Sequence, residues 1–195
     1  MFEGPNIGKM SEIALWPDPD NKQIFRNLVP WIQFHPMAES LLVSGSSRQE
    51  KYESLLPQIK ALVEGETDRI ANMANCMAAL HSGMGFFWVG VYFVRGEELV
   101  LGPFQGPVAC TRIQKGKGVC GHCFETRKTV IVEDVDEFPG HIACSSLSRS
   151  EIVVPLFNVK NELIAVLDVD SENLGDFDET DRFYLEKLAL ILGGL

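Results

Sequence analysis

Residues 138–155, FPGHIACSSLSRSEIVVP, place a thiol on a loop immediately ahead of a strand. Pro139 and Gly140 form a turn dipeptide, and Cys144 follows among small and polar residues rather than in an apolar run. The next block, Glu151 to Phe157, is apolar and β-branched and begins with a carboxylate, which predicts a buried strand. Loops anchored on such strands often carry chemistry, whereas a small cysteine packed under a loop is the structural alternative. This stretch alone leaves both interpretations open.

Outward from that loop, the periodicity of apolar residues predicts two helices, three strands, a helix, three more strands and a last helix. Tight turns join several of the strands, so the sheet is predicted to be mostly antiparallel and the fold class α+β. The helices are predicted at 48–62, 67–83, 116–127 and 178–192. The strands are predicted at 86–94, 99–102, 108–110, 128–132, 151–157 and 162–170.

Residues with capping preferences predict where the helices begin and end. Thr67 is expected to cap the second helix and Gly83 to end it. Asp178 is expected to cap the last helix, with Asp181 three residues further on. Cys76 lies beside the apolar stripe of the second helix, so we interpret it as a core residue.

Composition narrows the class of protein. The chain has 195 residues and a formal net charge of -10, which argues against nucleic acid or an anionic membrane surface as partner. The longest apolar run is about ten residues, short of the ~20 that span a bilayer. No signal peptide is evident, and five cysteines are an odd number, so a reducing, cytoplasmic location is expected. Residues 1–48 are predicted to be an extension packed on the main domain, 49–195, or on a partner subunit.

Two carboxylates in the last predicted strand form the most unusual pattern. Asp168 and Asp170 are two residues apart, so both project from the same face of a strand. If that face lines a pocket, the two charges repel and at least one pKa should be raised; if the strand end frays, both are solvated. A protonated carboxylic acid beside a ligand can act as a proton donor. Glu151, at the start of the neighbouring strand, can join this cluster, which would also suit a ligand ammonium group.

Cys120-Gly-His-Cys123 is a C-x-x-C motif, but no thioredoxin-like βαβ pattern surrounds it. A zinc site is the formal alternative, since further thiols and imidazoles are near in sequence. The spacings lack a second C-x-x-C or H-x-x-H pair, so we predict no metal and no cofactor. The candidate zinc ligands are Cys110, Cys120, His122, Cys123, His141 and Cys144.

Five motifs in order resemble the GAF-domain free methionine-(R)-sulfoxide reductase family over about residues 50–193. The resemblance implies a GAF fold, in which an antiparallel sheet of about six strands carries helices on one side and a small-ligand pocket on the other. It also implies reduction of free methionine-(R)-sulfoxide through a cysteine sulfenic acid and an intramolecular disulfide. The motifs are GPFQGPVACTRI (102–113), GKGVCG (116–121), FPGHIAC (138–144), SEIVVP (150–155) and LDVDS (167–171).

By the same resemblance, Cys144 matches the nucleophile, Cys110 the resolving thiol and Cys120 a third cysteine of the pattern. The substrate pocket is implied at Trp88, Tyr92, Glu151, Asp168 and Asp170. The chain departs from the family in two places: Ser145 stands where many members carry Asp, and Cys123 is an additional thiol that could compete in resolution.

The expected partners are the free sulfoxide and a thioredoxin-type reductant, with a homodimer as a candidate assembly. The main alternative is a GAF-type sensor that binds a small ligand without chemistry, although 195 residues leave little room for an output domain. A zinc-stapled interaction module is the second alternative.

Overall fold

A computed structural model describes residues 41–141 and 145–195, in which four α-helices and six strands follow in the predicted order. This part of the chain belongs to one compact unit that begins at Leu41. The prediction of an extension at 1–48 lies mostly outside the described residues and stays a prediction. The helices are α1 (Arg48–Val63), α2 (Arg69–Met84), α3 (Gly118–Thr126) and α4 (Glu179–Gly193). The strands are β1 (Trp88–Arg95), β2 (Glu98–Gln105), β3 (Arg112–Gln114), β4 (Val130–Val132), β5 (Ser150–Phe157) and β6 (Leu163–Ser171).

The ends of α2 differ from the prediction. Asp68 rather than Thr67 is the N-cap, and its side chain accepts a hydrogen bond from the Ala71 amide. The helix continues past Gly83 to Met84, and Gly85 takes the left-handed conformation that ends it. Gly83 instead allows close packing, because a Cβ there would lie 2.8 Å from a methyl group of Val43.

The capping of α4 is confirmed. Asp178 accepts from the helix amides and Asp181 reaches back to the Asp178 amide, which completes a capping box. Among the described residues, none of the helices is both long and apolar enough to cross a bilayer.

Strand β3 lies later in the chain than predicted. It pairs with the start of β2, with Leu99 opposite Ile113. Residues 106–111 form a loop, and the Pro107 carbonyl in it accepts a hydrogen bond from Trp88 Nε1 at 3.0 Å. Gly106 has a φ of 122° and packs against Trp88, where a Cβ would lie 2.7 Å from the indole. The loop therefore wraps an aromatic side chain instead of extending the sheet.

The six strands form one antiparallel sheet in the order β3-β2-β1-β6-β5-β4. Strand β6, although last in the chain, lies between β1 and β5 and pairs with both. Residues far apart in sequence are therefore neighbours at the centre of the sheet.

The two faces of the sheet carry different helices. Helices α1, α2 and α4 cover one face with the larger hydrophobic core. The short helix α3 packs on the other face, where Val119, Cys120, Cys123 and Phe124 are buried against the sheet. The predicted layering holds for the three long helices, and α3 forms a wall of the second face, the one that carries the candidate site.

Candidate functional site

Three carboxylates meet on the face of the sheet covered by α3. Asp168 and Asp170 both line one cavity, as their spacing predicted. Asp170 lies opposite Trp88 on β1 and opposite Glu151 on β5. Asp168, in the next row, lies opposite Gly90 on β1. The pairing of β6 with both neighbours is what brings the Glu151 carboxylate to the aspartates.

Burial raises the pKa values of these carboxyl groups. Glu151 and Asp168 are each 6% exposed. Burial, with the charge of the neighbouring carboxylates, raises the pKa of Glu151 and of Asp168 well above its usual range. Burial raises the pKa of Asp170 to about 6, while hydrogen bonding with Ser148 acts in the opposite direction. These shifts agree with the expectation of at least one raised pKa, and they favour the protonated, neutral form of the carboxyl groups more than exposure to solvent would.

Cys120 on α3 is the thiol in contact with this cluster. Its Sγ lies 3.8 Å from Glu151 Oε1, with the thiol as donor. The close approach of α3 depends on Gly121, where a Cβ would lie 2.4 Å from the Gln114 carbonyl oxygen. Burial and the nearby charge of Asp168 raise the pKa of the Cys120 thiol well above its usual range. Cys120 is therefore a protonated hydrogen-bond donor here rather than a ready nucleophile.

An aromatic wall stands next to the carboxylates. The Trp88 indole stacks on Phe104 and on Tyr92, with ring centroids 5.6 Å and 6.0 Å away. Gly90 makes room for the indole, since a Cβ there would lie 2.2 Å from its Cη2. The bond to the Pro107 carbonyl fixes the orientation of the ring. Trp88 and Tyr92 are thus fully packed and present a rigid apolar surface.

Two small adjoining cavities lie between these walls. One, of about 30 Å³, is bordered by Cys120, Glu151 and both aspartates. The other, of about 20 Å³, is bordered by Trp88, Tyr92 and the same aspartates. Ser145 and Ser148 line both of them. A ligand with a charged end and an apolar end therefore has a matching surface on each side of the aspartates.

Backbone hydrogen bonds anchor the loop around the cavities on both sides. The Gly118 amide, at the start of α3, donates to the Gly140 carbonyl at 3.2 Å. After the loop, the Arg149 amide donates to the Ser171 carbonyl at 2.7 Å. His141 before the undescribed residues 142–144 and Ser145 after them both line the first cavity. The chain on each side of these two residues is thus tied to α3 and to the end of β6 by backbone hydrogen bonds.

Comparison with known proteins identifies the family. A model of the GAF domain matches residues 70–193. The chain is 44% identical to free methionine-R-sulfoxide reductase of Escherichia coli over 144 residues, which cover 73% of this chain and 87% of that protein. The chain belongs to the GAF-domain free methionine-R-sulfoxide reductase family.

Two further relatives match most of the chain. The chain is 59% identical to GAF domain-containing protein A of Dictyostelium discoideum, over 80% of this chain and 99% of that protein. The solved structure of free methionine-R-sulfoxide reductase from Neisseria meningitidis in complex with its substrate is 56% identical with a TM-score of 0.77. That match covers 79% of this chain and 93% of the solved one.

The cysteines of the chain have different surroundings. Cys144 lies outside the described residues, so its role as nucleophile stays a prediction. Cys110 is half-buried and is not a free thiol. Cys76 is a buried core residue, as predicted. Cys123, the additional thiol, is fully buried, and burial raises its pKa far above the usual range, which argues against it as a competing resolving thiol.

Several cavity residues carry no signal in the sequence. Ser148 is buried and borders both cavities, yet it is one of several serines in the same loop. Lys117 and His141 also line the first cavity; they lie within the motifs GKGVCG and FPGHIAC, but the sequence did not mark either as a pocket residue. A much wider groove, of about 660 Å³, lies along α4 and the open half of β5, and the described residues that line it include no cysteine. The carboxylates and the Cys120 thiol of the candidate site therefore line the smaller cavities and not this groove.

Proposed function

We propose that this member of the family reduces free methionine-(R)-sulfoxide to methionine, with Cys144 as nucleophile. The observation that carries the proposal is the cluster of buried Glu151 and Asp168 with half-buried Asp170 beside an aromatic wall. A free amino acid offers an ammonium group for these carboxylates, whereas a residue within a peptide does not. The indole of Trp88 offers an apolar surface for the S-methyl group.

The sulfoxide oxygen needs a proton for the reaction to proceed. Thiolate attack on the sulfoxide sulfur becomes feasible when the oxygen is protonated or strongly hydrogen-bonded, because oxygen then leaves the substrate sulfur readily. Carboxylic acids whose pKa values lie well above the usual range, as at Glu151 and Asp168, can supply such a proton. The division of roles within the cluster then follows from charge: a protonated acid serves the oxygen and an ionised one serves the ammonium.

The thiol steps balance with one dithiol consumed per sulfoxide. The oxygen passes from substrate to Cys144, which gives methionine and a cysteine sulfenic acid. In the reduced enzyme, the Cys110 thiol condenses with the sulfenic acid, which releases water and forms a disulfide. An external dithiol of the thioredoxin type then reduces this disulfide by exchange. Cys120, protonated beside Glu151, helps to keep the proton in the cluster.

A turnover assay tests the proposal. Purified protein is supplied with a dithiol and with free L-methionine-(R)-sulfoxide, the S epimer, or the N-acetylated, C-amidated R compound. We expect methionine only from the free R epimer. Comparable rates with the blocked compound would contradict the carboxylate–ammonium contact, and binding without turnover would favour the non-catalytic sensor instead.

A further inference from the structure

Cys120, Glu151 and Asp168 present three potential metal ligands to one point. Their sulfur and carboxylate oxygens all lie within 4.8 Å of one another, and all three residues are buried. A tetrahedral ion with Zn–S of about 2.3 Å and Zn–O of about 2.1 Å requires a sulfur–oxygen separation of roughly 3.6 Å. The observed distance from Cys120 Sγ to Glu151 Oε1 is 3.8 Å. The cluster thus needs little rearrangement to enclose such an ion.

An unpartnered oxygen points independently to a ligand. Asp168 Oδ1 is buried and has no hydrogen-bond partner within the part of the chain that the structure describes. An orphaned polar atom in an apolar surrounding is costly, so such atoms are normally satisfied by a partner, a water or an ion. Asp168 borders the cavity of about 30 Å³ together with Cys120 and Glu151. That volume accommodates a single ion.

From these two observations we infer that the cluster binds a thiophilic divalent cation such as Zn²⁺ and that this ion inhibits the enzyme. One thiolate and two carboxylates form an anionic set that suits zinc, and Asp170 lines the same cavity as a further oxygen donor. Binding displaces the protons of the thiol and the acids into solvent. The ion then occupies the carboxylates proposed to hold the substrate ammonium, so metal and substrate exclude one another.

This site differs from the zinc hypothesis that the sequence suggests. There, the candidate ligands were the cysteines and histidines near the C-x-x-C motif. In the structure, Cys123 of that motif lies in the hydrophobic cluster, and the ligands beside Cys120 come from β5 and β6 instead. The ion is an inhibitor of the site rather than a structural staple or a cofactor of the reaction.

Cobalt(II) is the probe, because a cobalt–thiolate bond gives a charge-transfer absorption in the near ultraviolet. The full chain, reduced with a phosphine that does not bind the metal, is titrated with Co²⁺ and then with Zn²⁺. We expect one Co²⁺ per chain with the thiolate band, displacement by Zn²⁺, and competition by free methionine-(R)-sulfoxide. Cys120→Ser should lose the band, whereas Cys76→Ser, a buried thiol on the opposite face of the sheet, should match the wild type.

Glu151→Gln keeps the thiol and provides a second variant if Cys120→Ser fails to fold. We expect it to raise the Co²⁺ dissociation constant by at least about tenfold, the low end of the loss seen when even an outer-shell partner is removed. A band that persists in Cys120→Ser would place the metal at another thiol and overturn the inference, as would the absence of any band in the wild type. The metal is measured without turnover, so reduction without Co²⁺ binding refutes this inference alone, and Co²⁺ binding without reduction refutes the proposed function alone.

Discussion

Asp170→Asn should stabilise the protein while it damages activity. The carboxyl group of Asp170 has an ordinary pKa of 3.8, which burial raises to about 6 in the folded chain. The folded state therefore holds this proton more tightly than the unfolded state. The contribution to stability is present in full below pH 3.8 and is lost as the pH rises through about 6. An amide of nearly the same shape has no charge to bury and escapes this loss.

The size of the effect follows from the interval between the two pKa values. At 1.36 kcal/mol per pH unit, the interval from 3.8 to about 6 corresponds to about 3 kcal/mol. We expect the asparagine variant to exceed the wild type by up to this amount at pH 8, and the gap to close towards pH 3.5. The free energy of unfolding is measured by urea denaturation at pH 8, 6 and 3.5, which avoids the isoelectric point near 4.8.

Turnover measurements on the same variant show whether the substitution impairs function as well as changing stability. If Asp170 donates a proton or binds the ammonium, turnover of the variant falls by about 10²–10⁴-fold even as its stability rises. Glu172→Gln, an exposed carboxylate just beyond β6, is the matched control and should change neither quantity. A gap in unfolding free energy that does not vary with pH, or a variant less stable than the wild type at pH 8, would refute the reasoning about burial.

Two further predictions concern the thiols and the aromatic wall. Without reductant, Cys144→Ser should release no methionine, whereas Cys110→Ser should release about one equivalent and then stop. The assay measures the methionine released per enzyme molecule. The opposite pattern would show that the two cysteines have the reverse roles. Gly90→Ala forces a Cβ to within 2.2 Å of the Trp88 indole and should cost about 1–3 kcal/mol of unfolding free energy and raise KM. Gly194→Ala, with nothing nearer than 3.5 Å, is its control, and equal effects of both would contradict a specific clash.

Local signals predicted the order of the elements and part of the site. Asp168 and Asp170 share a face because strand side chains alternate, which depends on two residues of spacing and on nothing distant. The capping of α4 followed in the same way from Asp178 and Asp181, three residues apart. At α2, two polar residues in succession competed for the cap, and spacing alone did not favour Asp68 over Thr67.

The contacts that complete the site are long-range, and no local pattern contains them. Cys120 and Glu151 are 31 residues apart and meet only because α3 crosses the face where β5 and β6 pair. The sequence also did not predict which face of the sheet α3 covers, because the central strands bury apolar residues on both faces. The family resemblance named Cys120 and Glu151 as site candidates. That Cys123 lies apart from them could be seen only from the packing of α3.

The position of the acids within the sheet is itself evidence for function. Glu151 and Asp168 lie on central strands among Ile152, Val153 and Leu167, all of which are fully buried. An apolar residue at either position would avoid the free-energy cost of burying a carboxyl group. A buried carboxyl group is tolerated when it has a functional role. The raised pKa of Asp170 converts part of that cost into a measurable dependence of stability on pH. Packing alone does not call for three carboxylates here, so their presence favours chemistry or ligand binding over packing as the role of this face.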